Sequence, residues 1–270
     1  MSGFSYSLNS STIRTTPILE KIAITAGAGY TGIELWHADI DLYLLQGGSL
    51  GDIRHALDDC AIAAPTCIML KGWLYENNKE RDEGMPEVRR RMEQAVELGI
   101  PHCIAGPKLG PVDMELAAKR YGELLELGET LGIKPIIEYL GFAEQVNTIE
   151  DALYIMEHSG RDDGTVVLDP FHCFRGGGGV EGISKLRGEQ VAISHFNDAP
   201  ADPPREEQHD PNRVMPGEGI VDLARYVELL KQIGFDGFIS LELFREDLWE
   251  RDPREVAQIG LEKMRAVVEG

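Results

Sequence analysis

The chain has 270 residues, 43% of them hydrophobic and 27% charged, which supplies apolar side chains for a sizeable core and polar ones for a soluble surface. A formal net charge of -20 repels phosphate backbones and anionic membrane surfaces, which argues against nucleic acid and lipid as partners. The N-terminal run MSGFSYSLNSS lacks a basic segment followed by an apolar stretch, and no apolar run approaches the roughly 18 residues of a membrane helix, so a cytoplasmic protein is expected.

Strand-like apolar runs alternate with amphipathic stretches along the whole chain, and no linker or low-complexity tract interrupts them. The predicted strands are Phe4 to Leu8, Gly32 to Trp36, Pro65 to Leu70, His102 to Ala105, Pro135 to Tyr139, Thr165 to Asp169, Val191 to Phe196 and Phe238 to Leu243. Near-continuous apolar runs of this kind suit parallel strands covered on both sides. Between them, Thr16 with Pro17, Thr148 with Asp151, and Asp252 with Pro253 and Glu255 mark helix starts, because oxygen acceptors and acids stabilise the free N–H groups of a first turn. From Val221 to Ile233, the residues Leu223, Tyr226, Val227, Leu230 and Ile233 recur every three or four positions and form one buried stripe. Eight β-then-α pairs with no strand left over favour a single (β/α)8 TIM barrel over residues 1–270 rather than an open doubly wound sheet. The four cysteines, Cys60, Cys67, Cys103 and Cys173, show no Cys-x-x-Cys spacing and read as reduced and mostly buried.

A barrel carries its chemistry at the C-terminal ends of its strands. Four residues interrupt the apolar runs there: Glu138, Asp169, His195 and Glu242. An unpaired carboxylate inside such a run costs several kcal/mol, so each needs a cation or a hydrogen-bond partner. Few Lys or Arg share these segments, and four adjacent strand ends converge on one rim, which points to one divalent metal. Three carboxylates and one imidazole suit Mn, Mg, Co or Zn. His172 follows Asp169 by three residues and reads as a substrate-facing group; Arg213, in the long loop after the seventh strand, could clamp a substrate oxygen.

Other signals carry less. Gly27 to Gly32 matches G-x-G-x-x-G but follows a helix and precedes a strand, so it reads as a helix-ending turn. Gly176 to Gly179 reads as a flexible connection. Trp73 and Trp249 are expected in the core or a subunit contact, and His37 and His209 at the surface or satisfied locally.

The segments Ile-Glu-Tyr-Leu-Gly-Phe (137–142), Val-Leu-Asp-Pro-Phe-His (167–172), His-Phe-Asn-Asp (195–198), Arg-Val-Met-Pro-Gly-Glu-Gly (213–219) and Phe-Ile-Ser-Leu-Glu-Leu-Phe-Arg (238–245) resemble the sugar phosphate isomerase/epimerase superfamily of xylose isomerase-like TIM barrels, in particular its inosose-isomerising members. The match is dense from about residue 130 onward and sparse before it. The resemblance implies metal ligands at Glu138, Asp169, His195 and Glu242 and substrate contacts at His172 and Arg213. It further implies an isomerase that moves a carbonyl between adjacent carbons of a polyhydroxy-ketone, 2-keto-myo-inositol or a similar ketose, through a metal-stabilised enediolate. Glu138 and Glu242 would form the acid/base pair and His172 would assist the proton transfers; a homo-oligomer is compatible with this picture. Ketose 3-epimerases and inosose dehydratases share the pattern. An endonuclease IV-like phosphodiesterase is disfavoured by Asp-Pro-Asn-Arg (210–213), where that family's Asp-x-His ligands would stand, and by the acidic charge. A non-catalytic sugar-binding barrel would give no solvent deuterium exchange into a ketose.

Overall fold

A computed structural model describes residues 3–270; Met1 and Ser2, at the start of the N-terminal run, lie outside the described residues. Eight parallel strands, β1 (Ser5–Asn9), β2 (Gly32–Trp36), β3 (Thr66–Leu70), β4 (His102–Ala105), β5 (Lys134–Ile137), β6 (Val166–Leu168), β7 (Val191–Phe196) and β8 (Phe238–Leu241), pair in chain order, and β8 closes on β1. The open-sheet alternative is thereby excluded. The expected Tyr139, Asp169 and Leu243 lie just past the ends of β5, β6 and β8, so Glu138, Asp169 and Glu242 sit at the rim beyond the ladder, while His195 is the penultimate residue of β7 and pairs with Ser240.

Outside the strands run α1 (Ile18–Ala28), α2 (His37–Leu45), α3 (Leu50–Asp59), α4 (Asn78–Glu97), α5 (Met114–Leu131), α6 (Ile149–Glu157), α7 (Pro170–Arg175), α8 (Leu223–Gln232), α9 (Glu246–Trp249) and α10 (Pro253–Glu269). The sixth unit departs from the expected strand-then-helix pair. Its α7 has six residues and gives way to the glycine run, where Gly177 and Gly179 adopt φ of 80° and 67°, before a 3-10 turn at Glu181–Lys185. The Thr148–Asp151 capping box forms as expected, and Asp252 caps α10. Thr16 does not cap α1: Pro17 holds an extended ψ of 147° and becomes the boundary residue itself, so the helix starts without a side-chain cap. The stripe on α8 includes Leu229 in addition to the expected residues, and Ile233 is only half-buried. Gly29 ends α1 with φ of 95°, as a helix-ending turn requires. Among the described residues no helix is long and apolar enough to cross a membrane. All four cysteines are free, Cys60 half-buried and the others buried.

Strand periodicity places the site. Alternate residues share a face, so Ile136 lies below Glu138, Val167 below Asp169, Ile193 below His195 and Ser240 below Glu242. Ile136, Val167 and Ile193 join Ile68 and Ile104 in a cluster separate from the larger core between strands and helices. An apolar plug thus underlies the polar rim, and a side chain two positions further along each strand is delivered to the mouth of the barrel.

Candidate metal centre

The structure brings the four singled-out residues together. Side-chain oxygens or nitrogens of Glu138, His195 and Glu242 all lie within 4.8 Å of one another, and all three residues are buried. His195 Nδ1 faces Glu242 at 3.0 Å, Asp169 at 3.5 Å and Glu138 at 3.6 Å, yet finds no hydrogen-bond partner of acceptable geometry among the described residues. Asp169 falls outside the tight triple for a local reason: it is the N-cap of α7, and its Oδ1 accepts from the N–H groups of Phe171 and His172 at 2.8 and 3.2 Å. Its Oδ2 accepts from Asn197 Nδ2 at 3.2 Å and lies 3.1 Å from Arg213.

Arg213 is buried at this site, where an isolated loop arginine is ordinarily solvated. Its Nη1 donates to Glu242, its Nη2 donates to Asp210 at 2.8 Å, and its guanidinium packs between the rings of Phe171 and Phe244 at 5.1 and 5.2 Å. The neutralising cation that the strand segments lack therefore arrives from the loop after β7. Nη2 also lies 2.8 Å from His172 Nε2, while Gly141 N–H donates to His172 Nδ1 at 3.1 Å. Tyr139, Phe142 and Phe171 surround the His172 ring edge-on.

The carboxylates differ in protonation. Burial, reinforced by Glu242 and Asp169 against the pull of His195 and Arg213, pushes Glu138 up to about 8. Burial opposes ionisation of Asp169 too, but Arg213, His172 and His195 hold it well below the ordinary carboxylate range. Burial, with help from Arg213, lowers His172 to about 4, so its imidazole is neutral at physiological pH.

Three further residues belong to the site that the strand-end reading did not single out. Glu34, in the middle of β2, is fully buried and lies against His195 Nε2; it accepts from Asn9 Nδ2 at 3.1 Å and from Thr66 Oγ1. Asn9 also donates to Glu242 at 2.9 Å. Glu34 carries the same signal as the other four, a carboxylate inside the apolar run Gly-Ile-Glu-Leu-Trp; Asn9 and Thr66 are uncharged and carry none. A cavity of about 350 Å³ opens beside the site, lined among others by Lys71, Tyr75, Lys108, Phe142 and Asp210. Trp73 is core, donating to Gly106 O at 2.9 Å; Trp249 donates to Ser11 O. His209 is exposed beside Phe142, whereas His37 is fully buried, with Nδ1 unpartnered among the described residues, because α2 turns its first residue inward.

The donor set fits a divalent cation: an imidazole nitrogen without a hydrogen bond, fully buried, surrounded by carboxylates that neither a single arginine nor a backbone cap can neutralise completely. Comparison with known proteins agrees with the architecture. The family profile described as Xylose isomerase-like TIM barrel matches residues 22–267, and the chain belongs to that family. An inosose isomerase of Bacillus velezensis is 27% identical over 267 residues, covering 95% of this chain and 94% of that protein. One from Bacillus subtilis is 31% identical over 201 residues, 71% of this chain and 72% of that protein. The crystal structure of IOLI protein with a binding zinc atom superposes with a TM-score of 0.92 at 26% identity, covering 98% of each chain.

Proposed function

We propose that this chain is a divalent-metal-dependent isomerase of a cyclic polyhydroxy-ketone, an inosose or a similar ketose. The observation that carries the reading is His195 Nδ1, buried without a hydrogen bond and facing Glu138, Asp169 and Glu242. These four residues would hold the ion, of which Mn, Mg, Co and Zn all suit the ligands. The inosose isomerases above, similar over most of their length, support the substrate class.

An ion held by these four residues would supply positive charge that acidifies the C–H beside the substrate's carbonyl. The chain's own residues handle the proton. Of Glu138 and Glu242, whose oxygens approach within 4.8 Å, one accepts the proton from the carbon bearing the hydroxyl and the other delivers a proton to the former carbonyl carbon. The hydroxyl proton leaves as the new carbonyl forms and the former carbonyl oxygen takes up a proton to become the new hydroxyl, so two protons leave the substrate and two return. Neutral His172, held by its aromatic cage, exchanges a hydrogen bond with a substrate hydroxyl, and Arg213 orients the oxygen that becomes negative as the proton leaves. The apolar plug and the Phe171–Arg213–Phe244 stack limit water at the reacting carbons.

The test is an inosose incubated in D2O with metal-loaded protein and followed by NMR. Carbonyl migration with deuterium gained at carbon is expected, together with at least a 100-fold loss in Glu242→Gln that keeps its metal. Full turnover in that variant, or no exchange with wild-type protein across a panel of inososes and ketoses, contradicts the reading.

A further inference from the structure

We propose that Glu34 is a positioning residue: it fixes the ring orientation and tautomer of His195 so that Nδ1, and not Nε2, presents its lone pair to Glu138, Asp169 and Glu242. The inference rests on the reading that these residues share a cation and adds to it a residue from the N-terminal half of the barrel.

An imidazole at the end of a strand has two nitrogens, and nothing in its own chain position decides which one faces the ligands. Here the surroundings decide. His195 Nε2 lies 3.3 and 3.4 Å from the two carboxylate oxygens of Glu34, on the side of the ring away from the other carboxylates. Glu34 is itself held, since Asn9 Nδ2 donates to it at 3.1 Å and Thr66 Oγ1 donates to it, and all four side chains are fully buried. A carboxylate that receives two donors acts as an acceptor, so the Nε2 facing it carries the hydrogen and the lone pair of the neutral ring resides on Nδ1. Carboxylates placed this way behind a metal-binding histidine fix its tautomer and raise its basicity, typically at 10- to 100-fold in affinity. Register and closure account for the contact: Asn9 pairs with Glu34 across β1 and β2, and closure of β8 on β1 leaves only those two strands between β7 and β2. Asn9 also donates to Glu242 at 2.9 Å, so one amide ties the orienting carboxylate to a ligand of the site.

Two readouts test this. Against the cost of burial, Glu242 and Glu34 raise His195 well above the ordinary imidazole range, so the comparison in cation-free protein is made at a pH alkaline enough for the ring to be neutral. There its ring-nitrogen NMR signature is expected to report the Nε2–H tautomer in wild type and a mixture in Glu34→Gln, where one acceptor oxygen is lost. Titration with Mn²⁺ alone is expected to show a 10- to 100-fold weaker dissociation constant in Glu34→Gln and a smaller loss in Thr66→Val, which loosens Glu34 without touching its charge. Thr66→Val also serves if Glu34→Gln does not fold. A folded variant that retains both the Nε2–H tautomer and wild-type affinity overturns the proposal. If wild type takes up no Mn²⁺, the shared-cation reading fails by itself, and the tautomer comparison still decides whether Glu34 sets the ring.

Discussion

Charge at the barrel mouth is divided unevenly among single residues. Arg213 reaches Glu242 and Asp169 but makes no ion pair with Glu138 among the described residues, which leaves Glu138 as the carboxylate that burial pushes up to about 8 while Asp169 stays ionised. His37 shows the same physics away from the site. Burial, and then Arg91, lowers it to about 3, against an ordinary value near 6.5 in the unfolded chain. The folded form therefore stays neutral while the unfolded form takes a proton as pH falls through about 6.5, so this residue's contribution to stability is present above that value and is lost toward pH 3. Chemical denaturation at pH 7 and pH 5 is expected to show a decline in stability that is shallower by about 2 kcal/mol in His37→Gln than in wild type; equal declines would contradict it. At this scale the sequence was legible where a charge broke an apolar run, as at Glu138, Asp169, His195 and Glu242. Glu34 carried that signal as well, but its partner His195 stands 161 residues away, and only barrel closure joins them. Arg213 was legible as a candidate, but its burial, like that of His37, was not, because burial of a polar residue outside a strand depends on how its loop or helix folds back.

Among elements, the connection after β7 deserves its length because it delivers Arg213. Asp198 organises it from within, accepting from the N–H groups of Ala199, Gly217, Gly219 and Val221 at 2.8 to 3.2 Å, while its backbone pairs with Val214, the neighbour of Arg213. Gly219 is required because a Cβ there would lie 2.2 Å from Ala199 O. Asp198→Ala strips four donors of their acceptor, and a loss of about 3 kcal/mol is expected, seen as a clear fall in Tm together with a raised KM as Arg213 loses its placement. An unchanged Tm would contradict this account of the loop. Elements as a class were the most legible level, since strands apolar on both faces leave a strong pattern and cap residues mark most helix starts. The pattern failed where it is weakest: at the uncapped start of α1, and in the sixth unit, where four glycines replace most of a helix.

For the whole molecule, the closed barrel turns eight local patterns into one rim. Glu138, Asp169, His195 and Glu242, from β5 to β8, and the side chains that contact them from β1 to β3 meet only because the sheet closes, with β8 on β1. A net charge of -20 over the molecule concentrates cations near such a mouth and disfavours polyanions. The half of the chain whose sequence is least legible, before about residue 130, supplies Asn9, Glu34 and Thr66 beside the strand-end cluster, as well as Lys71, Tyr75 and Lys108 along the neighbouring cavity. The central claim is that Glu138, Asp169, His195 and Glu242 share one cation. Elemental analysis of protein equilibrated with Mn²⁺ or Zn²⁺ and freed of excess is its most direct test: one ion per chain in wild type and far less than one in folded His195→Gln is predicted. No retained ion in wild type, or undiminished retention in the variant, would contradict it.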